Sequence, residues 1–420
     1  MSILLKNVKT ASGDLVEIAF ESGRFIEPKD ASKEAQVIDG KGLTVIPGLV
    51  DLHTHLREPG KEDAETVLSG SKAAVSGGYT AISAMPNTNP VADTAGVVEQ
   101  VYRLGQVHGI CDVFPIGAVT VGQLGKSLAE MGAMNSSEAK VRIFSDDGNC
   151  VWDSLIMRRA LEYVKSFDGL IAQHAEDPRL THDSQMNEGA VSAELGLKGW
   201  PAAAEESIIA RDILLSEHVG SRLHICHLTT AGGVELVRWA KARGIQVTAE
   251  VTPHHLLLTD EKARSYDPIY KVNPPLRTDR DVQALREGLA DGTIDIVATD
   301  HAPHPAENKE CEWAAAAFGM IGLETSLSIT YLAMVKSGLM KLEDLLPKMA
   351  KNPAQIGRYE GHGELKPGNW ANFALIDTSA IWKVERTGIV SKSKNSPFVG
   401  SELPVKVIKT FFRGNEVYSQ

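Results

Sequence analysis

The sequence predicts an α/β fold: a (β/α)8 TIM-like barrel carrying a smaller, discontinuous β domain formed by both chain ends. Three observations predict it. Eight short, nearly continuous apolar runs follow one another between residues 43 and 301, and such runs suit strands buried on both faces of a parallel sheet. Amphipathic segments separate them, and most strand-to-strand steps are about 25–35 residues, the scale of a βα unit. The ends instead alternate short β-like segments with turn residues, and each end is too small to hold a core alone.

In chain order the runs are LTVIPGLVDLH (43–53), YTAISAMP (79–86), CDVFPIGAV (111–119), KVRIFSDD (140–147), GLIAQHAE (169–176), RLHICHLT (222–229), IQVTAEVTPH (245–254) and IDIVATDH (294–301). Helices are expected over 62–76, 93–106, 153–166, 205–218, 231–243 and 279–290. The longer step around 177–203 reads as an insertion. Segments ILLKNVK, LVEIAFES, GRFIEP and AQVIDG at one end, and NFALID, WKVER, KVIKTFFRG and NEVYS at the other, make up the second unit. The expected division is therefore 1–47 with 362–420 for the β domain and 48–361 for the barrel.

At 420 residues, 43% hydrophobic and 23% charged, the chain is a globular protein too long for one ordinary core. A net charge of −11 without any Lys/Arg cluster argues against a nucleic-acid surface. No apolar stretch approaches the roughly 20 residues that span a bilayer, and MSILLKNVKT lacks the pattern of a signal peptide. The four cysteines are scattered without a C-x-x-C pair, as expected of reduced thiols in a cytoplasmic protein.

Barrels of this kind build active sites at the C-terminal ends of their strands. The first run ends in His53 and His55, which share a strand face; alone, the pair suits a ligand or a structural role equally. The fifth run ends in His174, the sixth in His227, and the eighth in Asp300 with His301 and His304 beyond it. His224 and His227 should point to opposite faces, so His227 is assigned to the site and His224 to packing beneath a helix. Imidazole with carboxylate is a zinc donor set, and four His with one Asp exceed the three protein ligands usual for one catalytic zinc. Two cations about 3.5–4 Å apart would need an anion between them, and the fourth run ends in VRIFSDDGN (141–149).

With these residues the chain resembles the amidohydrolase superfamily, its cyclic amidohydrolases, and most closely the bacterial type I dihydroorotase family. The motifs are DLHTHLREPG (51–60), MPNTNP (85–90), FSDDG (144–148), HAED (174–177), CHLTT (226–230), EVTPHH (250–255), KVNPPLR (271–277), ATDHAPH (298–304) and FGMIGLET (318–325). The tail 352–377 looks like the superfamily's return into its β domain. The resemblance implies His53 and His55 on the more buried metal, His174 and His227 on the second, and Asp300 as the last ligand and the acid/base. It implies that Arg57, Asn87 and His304 hold a substrate carboxylate, with His55 beside them, and that Asn273, Phe318 and Gly319 contact the ring. Many superfamily members bridge the metals with a carboxylated lysine at the fourth strand end. Here Lys140 lies at the start of that run, and the FSDDG match puts Asp147 in the bridging place. Asp146 keeps a turn or capping role.

The implied activity is reversible cyclisation of N-carbamoyl-L-aspartate to L-dihydroorotate in pyrimidine biosynthesis, by a hydroxide generated at two Zn2+ ions, with one ion weakly held in some type I sites. A homodimer is also implied, and association with aspartate carbamoyltransferase stays open. The rivals are an allantoinase or dihydropyrimidinase/hydantoinase, and a pseudoenzyme partner of that transferase. Arg57 favours dihydroorotate, because a guanidinium grips a carboxylate through two hydrogen bonds and hydantoin and allantoin rings have none. Residues 303–318 suit a mobile lid and an ordinary long loop equally, and Cys150 and Cys226 read as packing residues.

Overall fold

The computed structural model describes residues 2–420. Eight barrel strands occupy Leu49–Thr54, Tyr79–Ala84, Asp112–Pro115, Ile143–Phe144, Leu170–Gln173, Arg222–Ile225, Val247–Val251 and Ile296–Val297. Neighbours pair in parallel from first to third, fourth to seventh and seventh to eighth. Parallel bridges Gly117↔Phe144 and Thr54↔His301 close the two remaining gaps. One apolar layer lies between strands and helices, including Ile82, Leu223 and Val297. A second fills the interior with Val50, Ala81, Ile143, Leu170 and Ile296.

Several helices begin where side chains satisfy orphan amides of a first turn. Thr66 and Ser69 form a capping box before Val67–Ser76, so that helix starts later than the expected 62–76 and leaves 62–65 as loop. Asp153 caps Ser154–Lys165, and Thr278 caps Asp279–Asp291. The step around 177–203 contains a helix, Ala190–Leu195, and a short parallel pair, Met186–Asn187 with Gly199–Trp200.

The run 43–53, expected as one strand, serves two sheets. Thr44–Pro47 pairs with Phe373–Lys383, whereas Leu49–Thr54 enters the barrel. Gly48 is the hinge: a Cβ there would lie 2.3 Å from Thr80 Oγ1, so only glycine lets the chain pass this close to the second barrel strand. The pairing with Phe373–Lys383 joins both chain ends in an eight-stranded sheet. Phe20, Phe25, Phe373 and Phe411 pack at its centre, the last two stacked at 4.4 Å. Between Phe373–Lys383 and Glu402–Phe412 the chain leaves the sheet and reaches the barrel, where Ser393 Oγ donates to Ala64 O at 2.7 Å.

Candidate metal centre at the barrel mouth

Several strand ends release their side chains through left-handed backbone: Arg57 (φ 64°), His227 (φ 29°) and Asp300 (φ 46°). Such conformations cost about 1–3 kcal/mol each for non-glycine residues and concentrate at functional sites. The sixth strand ends at Ile225, so strand alternation no longer governs His227. That is why the expected opposition of His224 and His227 fails. His224 is no mere packing residue: its Nε2–H donates to Glu250 Oε2 at 3.0 Å, beneath the site.

His53, His55, Asp147, His174, His227 and Asp300 converge, all buried. Asp147 is the hub. Its Oδ2 lies 3.4 Å from His53 Nε2 and 3.3 Å from His55 Nε2, while its Oδ1 lies 3.3 Å from His174 Nδ1 and 3.2 Å from His227 Nε2. Asp300 Oδ1 is 3.0 Å from His55 Nε2 and 3.5 Å from His53 Nε2. Two donor groups result, His53–His55–Asp147 and Asp147–His174–His227, each with ligand atoms within 4.8 Å of one another. Ser145 Oγ accepts the Asp147 N–H at 3.0 Å and sets the turn. Asp146 faces elsewhere, its Oδ1 accepting the N–H groups of Val119 (2.8 Å) and Thr120 (3.0 Å), with Oδ2 bonded to the Thr120 hydroxyl.

The donor set fits divalent metal. His53 Nε2 is fully buried beside two carboxylates without a hydrogen-bond partner, and buried polar atoms are seldom left so. Its other nitrogen donates to Glu250 Oε1 at 2.5 Å, which turns Nε2 toward the cluster. His174 is held likewise, Nε2–H donating to Glu176 Oε2 at 2.8 Å and Nδ1 facing Asp147. Burial pushes the Asp147 carboxyl up, but the His53 charge and the bonds from His174 and His227 outweigh it and hold it well below the usual range. Burial likewise opposes ionisation of Asp300, and the His53 charge and the His55 bond again win. A third group, His53–Cys226–Glu250, also comes within 4.8 Å, and burial pushes the Cys226 thiol up.

Around this centre, Arg57 Nε donates to Pro303 O at 3.2 Å, and burial lowers its guanidinium to about 10. His304 Nε2–H donates to Phe318 O at 2.8 Å, and burial with the Arg57 charge lowers this imidazole to about 3, leaving it neutral. Asn87 Oδ1 accepts from His55 Nδ1 at 2.9 Å, which leaves its amide group for another partner. Asn273 donates to Glu176 Oε2 at 3.3 Å, and its own Oδ1 is buried without a partner. Gly319 (φ 141°) crosses so near His304 that a Cβ would lie 2.8 Å from its Nε2.

Sequence reasoning missed Glu250, Glu176 and Asn395. Glu250 carries a signal, an acid in a buried parallel strand, where charge persists only when paired. Glu176 stands two residues beyond His174. Asn395 carries none: its amide donates to Ala302 O (2.9 Å) and Gly319 O (3.3 Å), and its Oδ1 accepts His304 N–H (3.2 Å), all across more than 70 residues of sequence.

Comparison with known proteins fits this geometry. The chain is 62% identical to a dihydroorotase of Streptomyces coelicolor over 98% of its length and 97% of that protein. It is 52% identical to one of Mycobacterium tuberculosis over 99% and 97%. The chain belongs to the dihydroorotase family. A dihydro-orotase-like family model matches residues 42–232, from just before Gly48 through the sixth barrel strand. Among solved structures, the L-hydantoinase (dihydropyrimidinase) of Arthrobacter aurescens superposes with a TM-score of 0.87 at 26% identity, covering 99% of this chain and 96% of that one. The dihydropyrimidinase of Brevibacillus agri, at 20% identity and a TM-score of 0.84, covering 100% and 95%, shares the fold. The dihydroorotase family is thus built here on a cyclic-amidohydrolase barrel with clustered His and Asp able to hold metal. Among the described residues no helix is long and apolar enough to cross a membrane.

Proposed function

We propose that the protein interconverts N-carbamoyl-L-aspartate and L-dihydroorotate, the ring-closing step of pyrimidine biosynthesis. The observation that carries this reading is Asp147, whose two oxygens face separate imidazole pairs, with Arg57 buried at the same mouth. Two Zn2+ ions held by His53, His55, Asp147, His174, His227 and Asp300 would polarise the ring carbonyl and lower the pKa of a bound water.

The chain's own residues do the rest. Asp300, ionised in the site, takes the attacking water's proton on the oxygen that His55 does not engage and returns it to the ring nitrogen as its bond to the carbonyl carbon breaks. Arg57 grips the substrate carboxylate through two hydrogen bonds, with Asn87 and neutral His304 beside it. Asn273, whose Oδ1 lacks a partner, accepts a ring N–H, and Phe318 and Gly319 line the ring. Glu250 and Glu176 keep His53 and His174 turned toward the centre. In the biosynthetic direction the ureido nitrogen attacks the side-chain carboxyl carbon, Asp300 receives the nitrogen's proton, and that proton goes to the carboxyl oxygen whose bond to carbon breaks, so that the oxygen leaves as water. We place the enzyme in the cytoplasm as a homodimer that can associate with aspartate carbamoyltransferase.

The test offers zinc-loaded protein dihydroorotate, carbamoyl aspartate, allantoin, hydantoin and dihydrouracil. Turnover of the first two is expected. Turnover of allantoin or hydantoin without dihydroorotate would overturn the assignment, and inertness toward all five at full metal loading would favour a pseudoenzyme.

A further inference from the structure

The long loop after the eighth strand is held by an unusual pair. Lys271 and Lys309 are both buried, at 2% and 1% exposure. Lys309 Nζ donates to Lys271 O at 2.7 Å and Ala317 O at 2.9 Å. Lys271 Nζ runs the other way, to Trp313 O at 2.7 Å and Ala314 O at 3.2 Å, and sits 4.4 Å above the Phe318 ring. The Lys271 carbonyl also accepts the Gly319 N–H at 3.0 Å. Among the described residues neither lysine forms an ion pair with a carboxylate.

Two buried lysines without carboxylate partners are a poor way to stabilise a loop, since burying charge is costly and apolar side chains would serve better. What they supply is reach and direction. Burial and the neighbouring Lys271 charge lower Lys309 to about 7, and its ammonium and amine forms alike carry enough N–H groups for its two carbonyls. Lys271 matches three donors to two carbonyls and an aromatic face.

We propose that Lys271 and Lys309 are positioning residues that hold residues 303–319 as a fixed cover and thereby set Asn273, Phe318 and Gly319 for the substrate ring. Lys271 lies two residues before Asn273, its ammonium holds the Phe318 ring, and its carbonyl holds Gly319. One pin thus fixes three candidate ring contacts contributed by two separate loops. The inference rests on the proposed function for its substrate, but the pin itself is a property of the protein alone.

The experiment uses full-length zinc-loaded protein and the variants Lys271→Met, Lys309→Met and both together. KM for dihydroorotate should rise about tenfold or more while kcat changes less than about threefold, the pattern of lost ground-state positioning. Chymotrypsin should cut at Trp313 or Phe318 about tenfold faster than in wild type. Unchanged KM and unchanged cleavage would overturn the proposal, as would an equal fall in kcat from partial unfolding with KM intact. If a variant does not fold, hydrogen exchange of the wild type decides: the Ala317 and Gly319 amides should be protected without substrate. Protection that appears only on adding dihydroorotate would show a closing lid instead. Should wild type not turn over dihydroorotate, the substrate reading fails while cleavage and exchange still judge the pin.

Discussion

Adjacent acids Asp146 and Asp147 should respond oppositely to the same mutation. Asp147→Ala removes the one group in contact with all four metal-facing imidazoles, at 3.2–3.4 Å. Losing a group that merely orients a ligand costs 10–100-fold in metal affinity, so losing a shared ligand should cost more than ~100-fold at both sites. Asp146→Ala instead leaves the Val119 and Thr120 amides unpaired. The Thr120 hydroxyl keeps a bond from Gly125 N–H at 3.0 Å. At about 1–3 kcal/mol for each buried orphan, the cost is roughly 2–6 kcal/mol of stability. Bound metal per chain, by mass spectrometry after dialysis against graded chelator, reads the first effect, and urea unfolding of the metal-free proteins reads the second. Asp147→Ala should lose metal from both sites, whereas Asp146→Ala should hold metal and unfold early. The reverse pattern would refute the division of roles.

Arg57→Ala should lower kcat/KM for dihydroorotate by about 100-fold or more, the loss of a buried charge-paired contact worth about 3 kcal/mol, without a comparable loss on a ring lacking a carboxylate; equal losses would remove Arg57 from substrate recognition. Glu250→Gln should weaken metal binding about 10–100-fold, read by chelator competition. In the metal-free protein, burial opposes both charges, but the His53 and His224 interactions hold Glu250 below its ordinary 4.5, and Asp147, Glu250 and Asp300 raise His53 well above its ordinary 6.5. Their stabilisation is therefore complete from pH 4.5 to 6.5. It is lost as pH falls through the folded value of Glu250 or rises through that of His53, and Glu250→Gln should flatten the acid side of a urea-midpoint profile. Asn395→Leu, which frees Ala302, His304 and Gly319 from one another, should raise KM for dihydroorotate about tenfold with metal content unchanged.

The barrel was legible because buried parallel strands read as continuous apolar runs, and the clustered His and Asp residues because they sit at or just beyond the ends of such runs. Where strands stop was less legible. Gly48 divides one apolar run between two sheets because of its approach to Thr80, a contact across the fold that local sequence does not announce. His224 departs from its expected place because strand alternation stops at Ile225, where the strand ends. The outer supports divide by distance. Glu176 and Glu250 stand in the HAED and EVTPHH motifs, as acids in buried surroundings. Asn395 and the Lys271–Lys309 pair act through backbone carbonyls far away in sequence, which no spacing rule encodes.

The most direct measurement of the central claim is anomalous diffraction at the zinc edge from crystals soaked with dihydroorotate. The account predicts two zinc peaks flanking Asp147, each oxygen ligating one ion, with the substrate carboxylate on Arg57. Zinc that leaves Asp147 uncoordinated, or a ring bound with its carboxylate away from Arg57, would contradict it.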